Sequence, residues 1–377
     1  MLISDFTLDH IQIPLKTAFK HARYKRTKTD AIIVCLRTAE GLTGYGEILP
    51  RNYVTGETIE HVLKSIGPCM GARFIGNSFS SKDEVILFLR QELELAGRNL
   101  ATFCGFELAL LDLAGQALEF AIADVLGSTE HTELPAGIVI GLEVETKVLP
   151  KYCAILRFSD KRHIKVKIGV ADDLERLTII ADILKTPIRL DANGAWSSAD
   201  DAIRALSDMM AIPIASIEQP LTPGDFEGAR QIRKETGLLV MADEAVCTLA
   251  DAEHLIEQHA ADIFNIRLGK CGGVLGSLRL VERAKEAGIR CHLGTLVGET
   301  GILTRATEVF SRFVPGFECL DGKGQNAYLL EEDILDNPHD AVSAAFTTEG
   351  LGIRVSADRL LDYTVSERKS TIPLAYV

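Results

Sequence analysis

The sequence predicts an α/β protein: a closed parallel β/α barrel preceded by an α+β domain. Three observations carry this prediction. Short apolar runs recur along the later part of the chain, and those from Ile164 onward start 23 to 27 residues apart. Amphipathic stretches such as DLERLTIIADILK and LGSLRLVERAKEAG lie between them. The first 125 residues lack this rhythm and read as strands followed by helices.

Taken in order, FTLDHIQIPL and DAIIVCLRTAEGLTGYGEI have the alternation and β-branched content of strands, the second broken by a Glu-Gly turn. ETIEHVLKSIGPCM, SKDEVILFLRQELELAG and CGFELALLDLAGQALEFAIADVLG place apolar residues at helical spacing. Residues 1–125 therefore form a compact α+β unit. Over residues 126–330, strand-like runs open at Ala136, Ile164, Pro187, Pro213, Leu238, Asp262, Ile289 and Gly316. An open, doubly wound sheet uses the same elements. Eight regular strand–helix units favour closure into a barrel, each helix covering the sheet it returns across. The segment 331–377 is mixed and strand-like, and is expected to return to the first domain.

A chain of 377 residues is long enough for such an arrangement. Its net charge of −13 argues against nucleic acid or an anionic membrane as partner, since both reward clustered Lys and Arg. No uninterrupted apolar run approaches the roughly 18 residues needed to span a bilayer. The opening MLISDFTLDHIQIPL has no basic lead into an apolar stretch and does not read as a signal peptide. The 8 cysteines show no CxxC and no zinc spacing, so free thiols in a reducing cytoplasm are expected.

In a barrel of this kind reactive groups collect at the carboxyl ends of the strands. Those ends carry Lys165 and Lys167 (KVK), Asp191 (RLDAN), Glu218 (IEQP), Asp243 (MADE) and Arg267 (NIRLGK). Three consecutive strands thus finish in one carboxylate each. Unpaired carboxylates at interior strand ends are costly and repel one another unless a cation holds them. Oxygen-only ligands suit a hard divalent ion, Mg²⁺ rather than zinc. Lys165 and Lys167 alternate around Val166, so both point towards the barrel axis. Two amines on one interior face lower each other's pKa, which makes one of them a usable base.

These segments carry a family resemblance. KVK, LDANGAW, IEQPL, ADEAV and NIRLGKCGG, with GYGEILP in the first domain, resemble the enolase superfamily, muconate-lactonizing-enzyme subgroup. The resemblance spans nearly the whole chain. It implies a (β/α)7β barrel under an α+β capping domain, Mg²⁺ on Asp191, Glu218 and Asp243, and Lys167 as base. The implied chemistry is removal of a proton α to a carboxylate of a small molecule through an enediolate. Lys165 would tune Lys167, Asn193 and Glu244 would stand beside the metal ligands, and the protein would be a symmetric homo-oligomer.

Two departures bear on the reaction. The subgroup places a second catalytic lysine in an NIK-type motif, where this chain has Arg267. Arginine is a poor base and a good fixed cation. A racemase or epimerase needs bases on both faces of its substrate, so one-base syn elimination or cycloisomerisation is expected. Lys270 takes the second role only if its loop turns inward. The Asp-x-Asp signature of dipeptide epimerases at the eighth strand is also absent. Glu318 and Asp321 stand there three residues apart, on opposite faces of an extended strand, with Glu318 the candidate for the inward, substrate-binding position. Further substrate-binding candidates are His21, Arg23, Arg51 and Tyr53, on loops of the first domain able to form a lid. Epimerisation of a dipeptide or N-acyl amino acid is the alternative reaction. A non-catalytic metal-binding barrel is the alternative class, and the retained lysine pair argues against it.

Overall fold

The structure is a computed structural model that describes residues 1–20, 25–127, 129–157 and 163–365. In the capping domain, β1 (Ile3–Ile11), β4 (Ala31–Thr38) and β5 (Thr43–Ile48) form an antiparallel sheet in the order β1-β4-β5. A separate hairpin joins β2 (Pro14–Lys20) to β3 (Lys25–Lys28). The Leu100–Leu118 helix lies on β5 at unusually close range. A Cβ at Gly46 would stand 1.8 Å from the Gly105 carbonyl oxygen, so only glycine allows this approach. The helix is apolar and long enough, by length and composition, to cross a membrane, yet it is buried within the protein and interrupted by Glu107 and Asp112.

The barrel strands are β6 (Ala136–Ile140), β7 (Ile164–Lys167), β8 (Ile188–Asp191), β9 (Ile214–Glu218), β10 (Leu239–Ala242), β11 (Ile263–Ile266), β12 (Arg290–Leu293) and β13 (Leu320–Asp321). They close as β6-β7-β8-β9-β10-β11-β12-β13 and back to β6. Helices of eight to fourteen residues follow the first seven, so the barrel is of the (β/α)7β kind. Seven strands begin within one residue of their expected starts, while β13 begins at Leu320 rather than Gly316. Parallel register pairs Lys167 with Asp191 and Asp191 with Glu218, setting three functional side chains on one rung.

Buried acids of the capping domain clasp the barrel. Glu47 on β5 accepts from the Thr300 and Leu303 N–H groups and the Thr300 hydroxyl, at the start of the Gly301–Phe313 helix. Glu107 accepts from Val274 and Leu275 N–H at 2.6 and 2.9 Å, at the start of the Gly273–Glu286 helix. Both acid side chains thus satisfy amide groups that a helix leaves unpaired at its N-terminus. Beyond the barrel the chain bridges to the capping domain, Leu330 to Leu15, Gly350 to Ala121 and Thr364 to Ile11. Arg305, fully buried, pins this segment by donating to the carbonyls of Leu351, Ala344 and Ala345.

Candidate active site

A cavity of about 270 Å³ opens at the carboxyl ends of the barrel strands. Its floor carries Lys165, Lys167, Asp191, Asn193, Glu244 and Arg267, and the hairpin β2–β3 covers it with Thr17, Phe19 and Arg26, joined by Tyr53. Lys167 Nζ donates to Asp191 Oδ2 at 3.0 Å and to Asn193 Oδ1 at 2.5 Å. The Phe19 ring stands 5.7 Å from the same nitrogen, an apolar roof over the amine. Asn193 in turn donates to Glu244 Oε1.

Lys165 sits deeper. Its Nζ lies 3.1 Å from Asp321, 3.3 Å from Glu218 and 3.5 Å from Asp191. Burial pulls its pKa down, but Glu218, Asp321 and Asp191 outweigh burial and hold it above the ordinary lysine value. The expected lowering by a neighbouring amine is therefore not what governs Lys165, because carboxylates crowd it more closely. Asp191 is held below the usual carboxylate range: burial raises it, and Lys167 and Lys165 overcome that. Glu218 and Asp243 are raised, chiefly by burial, with neighbouring carboxylates adding to it.

Arg267 reaches across to two of the carboxylates, 2.5 Å from Asp243 Oδ2 and 3.2 Å from Glu218 Oε1. Even so, both Asp243 oxygens are buried without a hydrogen bond of ordinary geometry, as is Glu244 Oε2. Orphaned, fully buried oxygens on Asp243, beside the Asp191 and Glu218 carboxylates that end the two preceding strands, are what a hard divalent cation satisfies, and the donor set Asp191, Glu218 and Asp243 fits one. A second cluster, His292, Cys319 and Asp321, brings its ligand atoms within 4.8 Å of one another. It does not fit a metal, because Arg189 already stands among them, 2.7 Å from Asp321, 3.0 Å from His292 and 3.9 Å from Cys319 Sγ.

The chain matches "Mandelate racemase / muconate lactonizing enzyme, N-terminal domain" over residues 5–127 and "Enolase C-terminal domain-like" over residues 156–359. It belongs to the enolase superfamily, muconate-lactonizing-enzyme branch. Among enolase-superfamily relatives, the hydrophobic dipeptide epimerase of Enterococcus faecalis is 30% identical over 77% of this chain and 81% of its own. The N-succinyl-L-Arg/Lys racemase of Bacillus cereus is 26% identical over 97% and 98% of the two chains. The o-succinylbenzoate synthase of Bacillus subtilis is 28% identical over 96% of each. A crystal structure of a dipeptide epimerase from E. faecalis, in complex with Mg and the dipeptide L-Leu-L-Tyr, superposes with a TM-score of 0.80 at 26% identity, covering 94% of this chain and 100% of that one. This enolase-superfamily chain is accordingly an enzyme of the isomerase or lyase type.

Several residues stand elsewhere than the sequence led us to expect. Glu318 is exposed and outside the cavity, while Asp321 takes the inward place. The two side chains do lie on opposite sides, as their spacing of three requires, but the residue that pairs into the barrel with Leu320 is Asp321, and it is the one that faces the cavity. Arg51 does not line the cavity. It is 4% exposed and its guanidinium is committed to the carbonyls of Asp30, Pro50 and Val297, with burial lowering its pKa to about 10. It braces the rim loop that carries Thr295, Leu296 and Val297 rather than facing a substrate. Lys270 is fully buried behind the site, donating to the carbonyls of Asp243 and Val246. His21 and Arg23 lie outside the described residues. Tyr53 lines the cavity, with Arg26 Nη2 3.5 Å from its hydroxyl. Arg26 was missed from sequence; a basic residue on a short strand carries no signal until the hairpin folds over the barrel mouth.

Proposed function

We propose that this enzyme removes the proton α to a carboxylate of a small molecule, with Lys167 as base and Mg²⁺ held by Asp191, Glu218 and Asp243. The proton goes to and returns from one face, giving syn elimination or cycloisomerisation. The observation that carries this reading is the pairing of Lys167 with Arg267 on one cavity floor. Lys167 offers an amine whose position Asp191 and Asn193 fix. Arg267 cannot serve as the opposing base: burial pulls its pKa down, but Asp243 and Glu218 raise it above an already high value.

Bound there, Mg²⁺ supplies the positive charge that offsets the charge growing on the substrate carboxylate as its α-proton leaves. Arg267 adds a permanent positive charge to that neighbourhood, and Phe19 keeps bulk water from the amine. Having taken the proton, Lys167 delivers it to a leaving group on the same face. Among the described residues Arg26 has no acidic partner, so the covering hairpin favours a second anionic group at the far end of the substrate.

The activities of the E. faecalis and B. cereus relatives favour a second reading, epimerisation of a dipeptide or N-acyl amino acid. Three features weigh against it. Arg267 stands where the subgroup's NIK-type motif has its second lysine, Lys270 is sealed away, and Asp321 is already neutralised by Lys165 and Arg189. Incubation with Mg²⁺ in D₂O against N-acyl amino acids, dipeptides, lactones and hydroxy acids, followed by NMR at the α-carbon, separates the two. Elimination, or exchange with retention, abolished in Lys167→Met, is expected. Exchange with inversion would establish a second base and overturn the one-base reading.

A further inference from the structure

We propose that Arg267 is the resident counter-ion of the divalent-cation site, holding Asp243 and Glu218 when the cation is absent and giving way when it binds. The inference rests on the reading of Asp191, Glu218 and Asp243 as cation ligands. The guanidinium and the lysines divide the cluster between them. Arg267 Nη2 stands 2.5 Å from Asp243 and 3.2 Å from Glu218, while Lys165 and Lys167 take Asp191 and the other Glu218 oxygen. Lys270, the remaining cation near Asp243, is 3.6 Å from Oδ1 and spends its donors on two backbone carbonyls.

Asp243 is where the two cations would meet. Neither of its buried oxygens accepts a hydrogen bond of ordinary geometry, so Arg267 neutralises it by charge and does not fill its lone pairs. A divalent ion drawing on those lone pairs at roughly 2.0–2.6 Å would crowd a like-charged guanidinium that is now in contact with the same oxygen. A lysine in this place could relieve the repulsion by losing its proton. An arginine cannot, so it must move.

The structure leaves it somewhere to go. Arg267 is 14% exposed and lines the cavity, unlike Asp243 and Glu218, which are sealed at 0%. Turning off Asp243 brings the guanidinium towards the open cavity, where it would meet an anionic group of the substrate. Cation loading and anion binding are then coupled, each assisting the other by the same factor.

The test titrates Mg²⁺ by calorimetry into the chelator-stripped full chain, as wild type and as Arg267→Met, Arg267→Lys and Asp191→Asn, with circular dichroism to confirm folding. Losing the competing charge-assisted contact should tighten Mg²⁺ binding in Arg267→Met by about tenfold or more. Arg267→Lys should fall between it and the wild type, and serves alone if the Met variant does not fold. Asp191→Asn should weaken binding. If the Arg267 variants bind equally or more weakly while Asp191→Asn still weakens binding, the counter-ion proposal is overturned and the cation reading stands. If Asp191→Asn binds as the wild type does, the cation reading fails and takes this proposal with it.

Discussion

Glu107 offers a sharp test of how the capping domain is held. It is fully buried, and the carboxyl accepts two backbone N–H groups at the start of the Gly273–Glu286 helix. Burial raises its pKa from 4.5 to about 8, against the lowering effect of Leu275 and Val274. Because the folded value lies above the unfolded one, the folded state holds the extra proton between them. The stability this confers is complete below the unfolded pKa and is lost as pH rises towards about 8. At about 1.4 kcal/mol per pH unit, the group alone should cost the wild type about 4 kcal/mol between pH 5 and pH 8. Glu107→Gln keeps a neutral amide in the same shape and cannot titrate. Urea unfolding at both pH values should show the variant slightly less stable than wild type at pH 5 and more stable at pH 8. A variant that loses more at pH 8 than at pH 5 would refute the reasoning, because it would mean that the two amides keep the carboxylate ionised despite its burial.

Further outcomes follow from two other buried arginines. Arg305→Met removes three donors from the carbonyls of Leu351, Ala344 and Ala345 and the guanidinium 4.7 Å from the Phe346 ring. It should cost about 3 kcal/mol and open the 344–352 segment to limited proteolysis at protease levels that leave the wild type intact. Arg51→Met frees the Val297 rim loop from the capping domain. With the substrate found by the exchange assay, it should lower kcat/KM about tenfold while Mg²⁺ affinity, read by calorimetry, stays as in wild type. A change in Mg²⁺ affinity instead would show that Arg51 acts on the barrel itself.

The parts of this molecule legible in its sequence are those governed by local repetition. Strand starts could be placed because each barrel unit repeats a short apolar run and an amphipathic stretch, and register then sets Lys167, Asp191 and Glu218 side by side. The places where reading fell short depend on contacts between distant segments. Arg26 reaches the cavity only through the fold of the β2–β3 hairpin, and Arg51 turns away from it to bind the loop at Val297. Glu318 was misplaced because a spacing of three sets it and Asp321 on opposite sides without saying which faces inward, and that is decided by the pairing of Leu320 and Asp321 into the closed barrel. Glu107 had a signal that was not used: an acid within the apolar CGFELALLDLAG stretch falls on a face the helix buries entirely, and such a group needs a partner.

The acid clasps also bear on how such a protein can be recombined. Glu47 and Glu107 belong to one domain, while the amides they satisfy belong to helices that follow β12 and β11 in the other. Gly273 sits with φ at +72°, and a Cβ there would fall 1.8 Å from the Glu107 carboxylate, so the barrel sequence is tailored to the incoming acid. A chimera joining this capping domain to a relative's barrel would have to bring across both acids and the glycine that makes room for one of them. Without them the exchanged halves would meet with bare helix ends facing apolar surface. The unit of inheritance here is the clasp and its receptor together, and substrate range altered through the covering hairpin alone is the exchange this architecture tolerates best.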